Sequence, residues 1–355
     1  MALRILIISD AWEPQVNGVV RTLKMTRREL EAMGNVVDII SPLEFRAIPC
    51  PTYPEISLAL TTRRTLERRI DTFAPDCLHI ATEGPLGWMA RRIALRRKWP
   101  FTTAYHSRFP EYVQLRFGIP LDWTYALLRR FHNAARATLA PTPTIVADLH
   151  ARGFRHARLW SRGVDFGIFT DTGDREATQQ GPIFLYVGRI AVEKQVDAFL
   201  ALDLPGEKWV AGEGPERAKL QARFPDAHWF GVLKGEELAR LYRSADVMVF
   251  PSVTDTFGLV MVESMACGTP VAAFLAPGPI DVIGESAGGV MHRDLREACL
   301  SALKLSRSAV RQHAEKFPWH AATTQLLAAL QVIPDKLRRP ETSAPCLSTA
   351  AGKIS

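Results

Sequence analysis

The chain has 355 residues, of which 47% are hydrophobic and 23% charged, and its mean hydropathy is close to zero. This composition predicts a globular protein large enough for two domains and excludes an intrinsically disordered chain. No apolar run approaches the ~20 residues that span a bilayer, and five scattered cysteines exclude a disulfide-rich scaffold. Because Met1 also leads directly into a strand, without a signal-peptide pattern, we expect a cytoplasmic protein.

The basic residues are concentrated in the first half of the chain. Residues 1–164 contain 24 Lys and Arg against 14 Asp and Glu, a net charge of +10. Residues 165–355 contain 20 against 23, a net charge of −3. A basic half of this kind predicts contact with an anionic partner: an acidic membrane, a nucleotide or a nucleic acid. The alternative is an ordinary set of solvated, arginine-rich helix faces.

Apolar strands alternate with helical segments along both halves, which predicts two doubly wound, Rossmann-like α/β domains facing a cleft. The first domain is expected at residues 1–164 and the second at 165–318, with 165–181 as a polar, glycine-containing linker. A last helix at 319–332 follows. Residues 334–355 are rich in Pro, Ser and Ala and are predicted to be a disordered tail. Predicted strands are 5–8, 36–40, 77–81, 101–105, 158–161, 183–187, 209–211, 247–250 and 271–274; predicted helices are 61–73, 86–98, 143–152, 236–243 and 259–266.

Several polar residues and glycines lie where predicted strands end, and this edge of a parallel sheet is where ligands bind. Gly18 follows the first strand and permits close approach of a backbone to a phosphate. His106 follows strand 101–105, although an isolated histidine is more often structural. Arg189 and Lys194 follow strand 183–187, where they suit a diphosphate because arginine binds two oxygens at once and lysine supplies a point charge.

Residues 247–274 carry the most specific pattern. A buried strand is followed by Asp255, by Gly258, and by a helix that begins at Leu259 and contains Glu263. Helix N-termini attract phosphate, so two carboxylates beside one suggest binding of the hydroxyl groups of a nucleotide's sugars. The alternative is a capping aspartate and a solvated glutamate.

This segment resembles the signature of the retaining GT-B glycosyltransferases of family 4, in which two acidic residues flank seven others. Asp255 and Glu263 meet that spacing, with Asp where most of the family has Glu. The same TDTFG sequence occurs in a subgroup that includes sulfolipid synthases, bacterial α-mannosyltransferases and glycolipid synthases. The resemblance extends over about residues 3–332 and implies a GT-B fold whose last helix crosses back to the first domain.

The resemblance also implies a role for each matching residue, and a hexose transferred with retention from a nucleotide sugar. Catalytic contacts with the donor sugar are implied for His106 and Asp255, and contacts with the ribose for Glu263. The loop at 229–233 would pass the nucleotide base, through Val232 and Leu233. Residues implied at the donor diphosphate are Gly18, Arg189, Lys194, Gly258 and Leu259.

The acceptor is expected to be a membrane lipid, with diacylglycerol as the leading candidate. Residues 112–131 mix aromatic and aliphatic residues with arginines, which is typical of a segment in a membrane interface, or equally of a core-facing helix with a basic outer side. Arg108, Tyr112 and Trp123 are assigned to this acceptor or membrane side. The protein would then associate with the inner face of the membrane through its basic half.

The sequence leaves two other functions open and argues against a third. A GDP-mannose-dependent α-mannosyltransferase remains open, as does a nucleotide-sugar epimerase, which shares the GT-B fold but transfers nothing. A nucleic-acid-binding protein would not explain the motifs of the second half, so no nucleic-acid partner is expected. No two aspartates stand one residue apart and no metal-ligand cluster is present in the sequence, so we expect no metal and no cofactor besides the donor substrate.

Overall fold

The computed structural model of the chain describes residues 2–15, 17–50, 53–175, 181–285 and 287–337, with the side chains of 50, 53–56, 115 and 116 excepted. Part of the predicted linker, 176–180, and most of the predicted tail, 338–355, lie outside the described residues. None of the helices in these ranges is long and apolar enough to cross a membrane.

The first half folds into a parallel sheet flanked by helices. Its elements in chain order are β1 (Arg4–Ile8), α1 (Gly18–Ala32), β2 (Val36–Ile40), β3 (Arg46–Cys50), β4 (Tyr53–Leu60), α2 (Arg63–Phe73), β5 (Cys77–Ile80), α3 (Pro85–Arg96), β6 (Thr102–Ala104), α4 (Phe109–Phe117), α5 (Leu121–His132), β7 (Ala137–Ala140), α6 (Pro143–Ala151) and β8 (Ala157–Leu159). The sheet order is β2-β1-β5-β6-β7-β8, and β3 and β4 form a separate antiparallel hairpin.

The second half repeats this architecture. Its elements are β9 (Ile183–Val187), α7 (Val196–Leu200), β10 (Glu207–Ala211), α8 (Arg217–Arg223), β11 (His228–Trp229), α9 (Gly235–Ser244), β12 (Val247–Phe250), α10 (Leu259–Ala266), β13 (Val271–Phe274), α11 (Pro279–Val282), β14 (Gly289–His292), α12 (Leu295–Ala302), α13 (Arg307–Ala314) and α14 (Trp319–Ala329). The sheet order is β11-β10-β9-β12-β13-β14, and every pairing in it is parallel. The predicted fold of two doubly wound sheets is confirmed.

Both sheets are buried on two faces, which explains the continuous apolar runs of their strands. In β1, Leu6 and Ile8 belong to one hydrophobic core, while Ile5 and Ile7 belong to the core on the opposite face. Successive side chains of a strand point to opposite faces, so a continuous apolar run fills both cores. Strands β3, β4, β7, β11 and β14 were not predicted; β3 and β4 contain prolines, β11 has only two residues, and β7 is short and built largely of small residues.

The end of the described chain packs on the first sheet. Leu326 of α14 lies in the same core as Ile5, and Ile333 is fully buried in the other core of that sheet. The helix ends at Ala329, before the predicted residue 332, because Val332 instead pairs with Cys77 in an antiparallel bridge. The prediction that the tail is disordered from residue 334 is wrong for 334–337. A 3-10 turn at Asp335–Leu337 is ordered there, and its Leu337 carbonyl accepts a hydrogen bond of 2.8 Å from Trp99 Nε1.

Polar contacts join the two sheet layers across the cleft. Arg21 of α1 pairs with Glu263 of α10, and Arg28 Nη1 lies 3.0 Å from Asp165 Oδ2. At another point, the hydroxyl group of Thr144 donates to Asp281 Oδ1 at 3.1 Å. These contacts are between residues far apart in sequence, so the cleft has a defined width in this structure.

The pairing of Arg21 with buried Glu263 predicts a pH-dependent loss of stability in Arg21→Met. Burial raises the pKa of Glu263, and Arg21 opposes that effect, so removing Arg21 raises this pKa further. A carboxyl group whose folded-state pKa is raised contributes stability at low pH that is lost as the pH rises through that pKa. We therefore expect the free energy of unfolding to fall by about 1–3 kcal/mol at pH 8 and by less at pH 5.

The measurement is denaturant unfolding at both pH values, with Arg28→Met as the matched control. Arg28 also pairs across the cleft, but its side chain is 69% exposed, so its loss should change the free energy of unfolding by less than about 1 kcal/mol. An Arg21→Met deficit of equal size at pH 5 and pH 8 would contradict the prediction.

Candidate active site

The loops after β9 and β12 meet where the second sheet changes its direction of winding. Strand β9 pairs with β10 on one side and with β12 on the other. The connections from β9 and β12 therefore leave on opposite faces and open a crevice at the carboxyl ends of the strands. Arg189 and Lys194 follow β9, and Asp255 follows β12. The predicted cations and the predicted carboxylate thus come from the two loops that border one crevice.

Lys194 and Asp255 form an ion pair in this crevice. Nζ of Lys194 lies 2.6 Å from Oδ1 of Asp255, and each side chain is only one-fifth exposed. Burial alone would lower the pKa of Lys194, but the Asp255 carboxylate more than offsets this and the pKa is raised, so the amine stays protonated. The second oxygen of Asp255, Oδ2, is buried without a hydrogen-bond partner among the described residues. It is available to accept a hydrogen bond from a ligand.

The N-termini of two helices face each other beside this pair. Gly258, at φ +83°, precedes α10, and no side chain caps that helix. The alternative in which Asp255 serves as its cap is therefore wrong. Gly18 begins α1 on the opposite wall, where an added Cβ would lie 3.7 Å from Cδ1 of Leu259. Two helix N-termini at this separation create a positive potential that suits a diphosphate.

Glu263 is buried one turn inside α10, with an exposed fraction of 2%, so the alternative of a solvated glutamate is also wrong. Its Oε1 pairs with Arg21. Its Oε2 accepts a hydrogen bond of 3.3 Å from the Tyr242 hydroxyl group. Burial raises the pKa of Glu263, while Arg21 and Tyr242 oppose the shift. Each carboxylate oxygen retains capacity for a further hydrogen bond, as contact with ribose hydroxyl groups would require.

His106 connects the first sheet to the Asp255 loop. Its backbone carbonyl accepts a hydrogen bond of 2.7 Å from the Thr256 hydroxyl group. Its ring lies edge-on to Trp160, and its Nδ1 is 3.2 Å from Nη2 of Arg162. Burial first, and then the charge of Arg162, lower the pKa of His106 well below its usual value. The imidazole is therefore neutral, and its buried Nε2 has no partner among the described residues.

The loop predicted to pass the nucleotide base follows β11. Gly231 accepts a backbone hydrogen bond of 2.7 Å from Gly212, which holds this loop against the loop after β10. Val232 is 46% exposed, whereas Leu233 packs against a core of the second sheet. Val232 and the backbone are thus the accessible parts of this loop.

The three residues assigned to the acceptor or membrane side are not together. Arg108 is bound to Asp148, with Nη2 3.2 Å from Oδ2, and also lies near Glu111. Tyr112 lies near Lys194 and Asp255, and its hydroxyl group contacts Thr254, so it belongs to the crevice wall and burial raises its pKa. Trp123 alone lies on the outer surface, and its side chain is 74% exposed.

Trp123 belongs to an exposed apolar surface on α4, α5 and the turn between them. We call it the α4–α5 apolar surface. The helices are separate because Gly118 takes a left-handed conformation at φ +67° and ends α4. The members of this surface are between 40% and 74% exposed; they are Phe109, Phe117, Ile119, Trp123 and Leu127. Segment 112–131 thus has its apolar residues on both a core face and an outer face.

Four site residues were missed by the sequence analysis: Arg21, Tyr242, Thr256 and Arg162. Each reaches a predicted residue only because distant segments meet, as Arg21 reaches Glu263 across the cleft. A signal was present for Thr256, which lies inside the TDTFG sequence. Arg162 lies just before the predicted domain boundary, and no pattern in the sequence marks it as a site residue. Within the described ranges, no group of three or more His, Cys, Asp or Glu side chains is arranged to hold a metal ion.

Comparisons with known protein families match both halves of the chain. Residues 16–167 match the model described as Glycosyltransferase Family 4, and residues 181–305 match that described as Glycosyl transferases group 1. Among solved structures, sucrose-phosphate synthase from Thermosynechococcus elongatus superposes with a TM-score of 0.73 at 20% identity, over 92% of this chain and 98% of that one.

Several curated glycosyltransferases are also similar to this chain over most of their lengths. The sulfoquinovosyl transferase SQD2 of Arabidopsis thaliana is 31% identical over 84% of this chain and 67% of its own. A GDP-mannose-dependent alpha-mannosyltransferase of Mycobacterium tuberculosis is 31% identical over 81% and 83%. An alpha-monoglucosyldiacylglycerol synthase of Streptococcus pneumoniae is 26% identical over 85% and 78%. Since the family models, these relatives and the two parallel sheets agree, the chain belongs to the GT-B glycosyltransferases of family 4 and is a glycosyltransferase.

Proposed function

We propose that the protein transfers a hexose, with retention, from a nucleotide sugar to a membrane lipid acceptor such as diacylglycerol. The observation that carries the donor part is the crevice in which the Lys194–Asp255 ion pair lies beside the uncapped N-terminus of α10 and opposite the N-terminus of α1. Cations and helix N-termini at one point suit a diphosphate. Glu263, buried one turn further into α10, would bind the ribose hydroxyl groups.

The proposed reaction uses charge stabilisation more than acid–base chemistry. The bond between the anomeric carbon and the leaving diphosphate oxygen breaks, and a bond to the acceptor hydroxyl oxygen forms on the same face. The leaving phosphate takes the acceptor's proton. Arg189, Lys194 and the N-terminus of α10 would stabilise the charge that develops on the diphosphate. Neutral His106 would donate a hydrogen bond to the donor sugar from its Nε2 group, and Asp255 Oδ2 would accept one.

The lipid acceptor is supported by the surface of the first domain. The α4–α5 apolar surface is exposed, and it is part of the half of the chain that has a net charge of +10. Trp123, Leu127 and Arg130 follow one another at the spacing of a single helix face, and all three are exposed. An apolar face beside basic residues is the pattern of a helix that lies in an anionic membrane interface. One relative, the Streptococcus pneumoniae synthase, is named for a diacylglycerol product.

A second candidate is a GDP-mannose-dependent α-mannosyltransferase. The observation in its favour is the Mycobacterium tuberculosis relative, which is 31% identical over 83% of its own length. Both candidates use the same crevice, and they differ in the base and the sugar of the donor. For the first candidate we favour a UDP-sugar as the donor, and the following experiment decides between the two donors.

A donor panel tests the proposal. Purified protein is incubated with diacylglycerol in anionic vesicles and with UDP-glucose, UDP-galactose, UDP-glucuronate or GDP-mannose in turn. We expect an α-linked glycolipid, identified by mass and by the anomeric proton coupling, from one of the UDP-sugars. Glycolipid from GDP-mannose alone would replace the first candidate with the second. Donor hydrolysis without a lipid product would refute the lipid acceptor, and a β-linked product would refute retention.

We expect Arg189→Met and Lys194→Met each to lower kcat/KM by about 10²–10³-fold, because each removes a positive charge from the site of the developing diphosphate charge. The measurement is initial rate against donor concentration with the donor that the panel identifies. Lys219→Met is the matched control, because Lys219 lies in the same domain but is 73% exposed on α8. Near-wild-type kcat/KM in both Arg189→Met and Lys194→Met would place the diphosphate elsewhere.

We expect the double variant Trp123→Ser with Leu127→Ser to lose vesicle binding. Transfer of each side chain into the interface contributes about 1–2 kcal/mol, so the partition coefficient should fall more than tenfold. Flotation with anionic and with neutral vesicles measures this partitioning. Because the basic half attracts anionic lipid, recovery of the wild type should be higher with anionic vesicles and should fall as salt is raised.

The matched control is Leu43→Ser with Leu60→Ser. These two leucines of the same domain are 62% and 55% exposed but lie outside the α4–α5 apolar surface. Their removal should leave flotation unchanged. Equal recovery of all variants with anionic vesicles, or equal recovery of the wild type with neutral and anionic vesicles, would contradict the membrane proposal.

A further inference from the structure

Arg162 is a buried arginine that the reaction outlined above does not use. It follows β8 and is 4% exposed. No carboxylate of the described residues pairs with it, although a buried guanidinium group normally has such a partner. Burial lowers its pKa to about 9, so the group remains charged at neutral pH. Its contacts therefore indicate a role other than pairing with a carboxylate.

Those contacts fix the guanidinium group from one side. Nη1 donates to the backbone carbonyl of Trp160 at 2.5 Å and to that of Ser161 at 3.0 Å. The group also lies over the Trp160 ring, 4.3 Å from its centroid. Trp160 packs edge-on against the His106 ring, at 5.7 Å between centroids. The same tryptophan thus holds both the guanidinium group and the imidazole in place.

The remaining contact determines which nitrogen of His106 carries the proton. Nη2 of Arg162 lies 3.2 Å from Nδ1 of His106. A guanidinium group only donates hydrogen bonds, so Nδ1 must accept and is unprotonated. The single proton of the neutral ring is then on Nε2. This nitrogen is buried without a partner among the described residues, and it is the ring atom left to donate to a substrate oxygen.

The surroundings also oppose a second proton on His106. Burial first, and then the charge of Arg162, which faces the ring from the segment after β8, disfavour the imidazolium form and lower the pKa of His106; His79 of β5 and His132 of α5 also face the ring. His79 forms a hydrogen bond with the Thr102 hydroxyl group. His132 forms hydrogen bonds with the Thr103 hydroxyl group and with Glu83. Neither histidine is therefore the hydrogen-bond partner of Nδ1 of His106. Arg162 alone among the described residues makes that bond.

We propose that Arg162 is a positioning residue that fixes His106 in the neutral tautomer with its proton on Nε2, so that this group donates to a hydroxyl oxygen of the donor sugar. The part that concerns the tautomer stands on this chain's geometry. The part that concerns the sugar rests on the proposed function. Arg162 does not touch the donor in this scheme and acts only through His106.

The first test is the nitrogen-15 NMR spectrum of protein labelled in its histidine side chains. His106→Gln assigns the resonances by their loss. We expect Nδ1 of His106 to be unprotonated and Nε2 protonated from pH 5.5 to pH 8.5. In Arg162→Met, we expect a mixture of tautomers or a titration within that range, and Arg162→Lys should restore the wild-type pattern because lysine also only donates. Arg307→Met is the matched control, since Arg307 is a partly buried arginine that also donates to backbone carbonyls but lies in the second domain.

The second test is the rate of sugar transfer or donor hydrolysis over the same pH range. Arg162→Met should lower kcat about 10–100-fold with little change in the donor KM and should add a pH dependence that the wild type lacks. Arg162→Lys should recover most of kcat. A wild-type spectrum with Nδ1 protonated would overturn the proposal even if Arg162→Met does not fold, as would an unchanged His106 spectrum in folded Arg162→Met. If the spectra are as expected but kcat is unchanged in Arg162→Met, the tautomer assignment is upheld and the contact between His106 and the sugar is refuted. If the donor panel gives no product, the spectral result and the tautomer assignment are unaffected.

Discussion

The pairing of two carboxylates with cations, one carboxylate buried and the other partly buried, constrains the whole cleft. Asp255 and Glu263 come from one strand–loop–helix segment, yet each is paired with a cation from a different part of the chain. Lys194 of the same domain neutralises Asp255, and Arg21 of the other domain pairs with Glu263. A buried charge without a partner is strongly unfavourable. The two sheets must therefore approach closely enough for Arg21 to reach Glu263, which couples the geometry of the candidate active site to the relative placement of the domains.

The contacts of His106 extend this coupling. Thr256 lies between Asp255 and Gly258 and donates to the backbone carbonyl of His106. A histidine of the first sheet is thereby attached to the loop that carries the donor-site carboxylate. A displacement of either domain would therefore break the contact of Thr256 with His106 and the pairing of Arg21 with Glu263 at the same time. Substrates that bridge the cleft would be bound by both walls, as expected of a site built from the carboxyl ends of two facing parallel sheets.

The surface and the site are connected through α4. Tyr112, on this helix, lies on the crevice wall near Lys194, while Phe109 and Phe117 of the same helix belong to the α4–α5 apolar surface. One short helix therefore contributes to the crevice wall and presents apolar side chains to the outside. Under the proposed function, an acceptor that enters from a membrane at this surface would reach the crevice along this helix.

The sequence by itself determined the two doubly wound sheets and indicated most residues of the candidate active site. Continuous apolar runs of four or five residues predict strands buried on both faces, and polar residues after them predict the binding edge. Asp255, Gly258, Leu259 and Glu263 could be predicted as candidates because the pattern that contains them depends on spacing within one segment. Local patterns of this kind are visible in the sequence because a helix or a strand imposes a fixed period on its residues.

Only the tertiary structure decided which residues meet across long separations. The pairing of Arg21 with Glu263 and the contact of Arg162 with His106 join segments with no shared periodicity, so no local pattern predicts them. Tyr112 was assigned to the acceptor or membrane side, and only the structure places it on the crevice wall, because amphipathic composition does not specify which neighbour a face packs against. The start of the predicted tail is ordered because Leu337 meets Trp99, a contact over 238 residues. The physical reason is common to all of these: burial and charge pairing depend on distance in space, and the sequence records only distance along the chain.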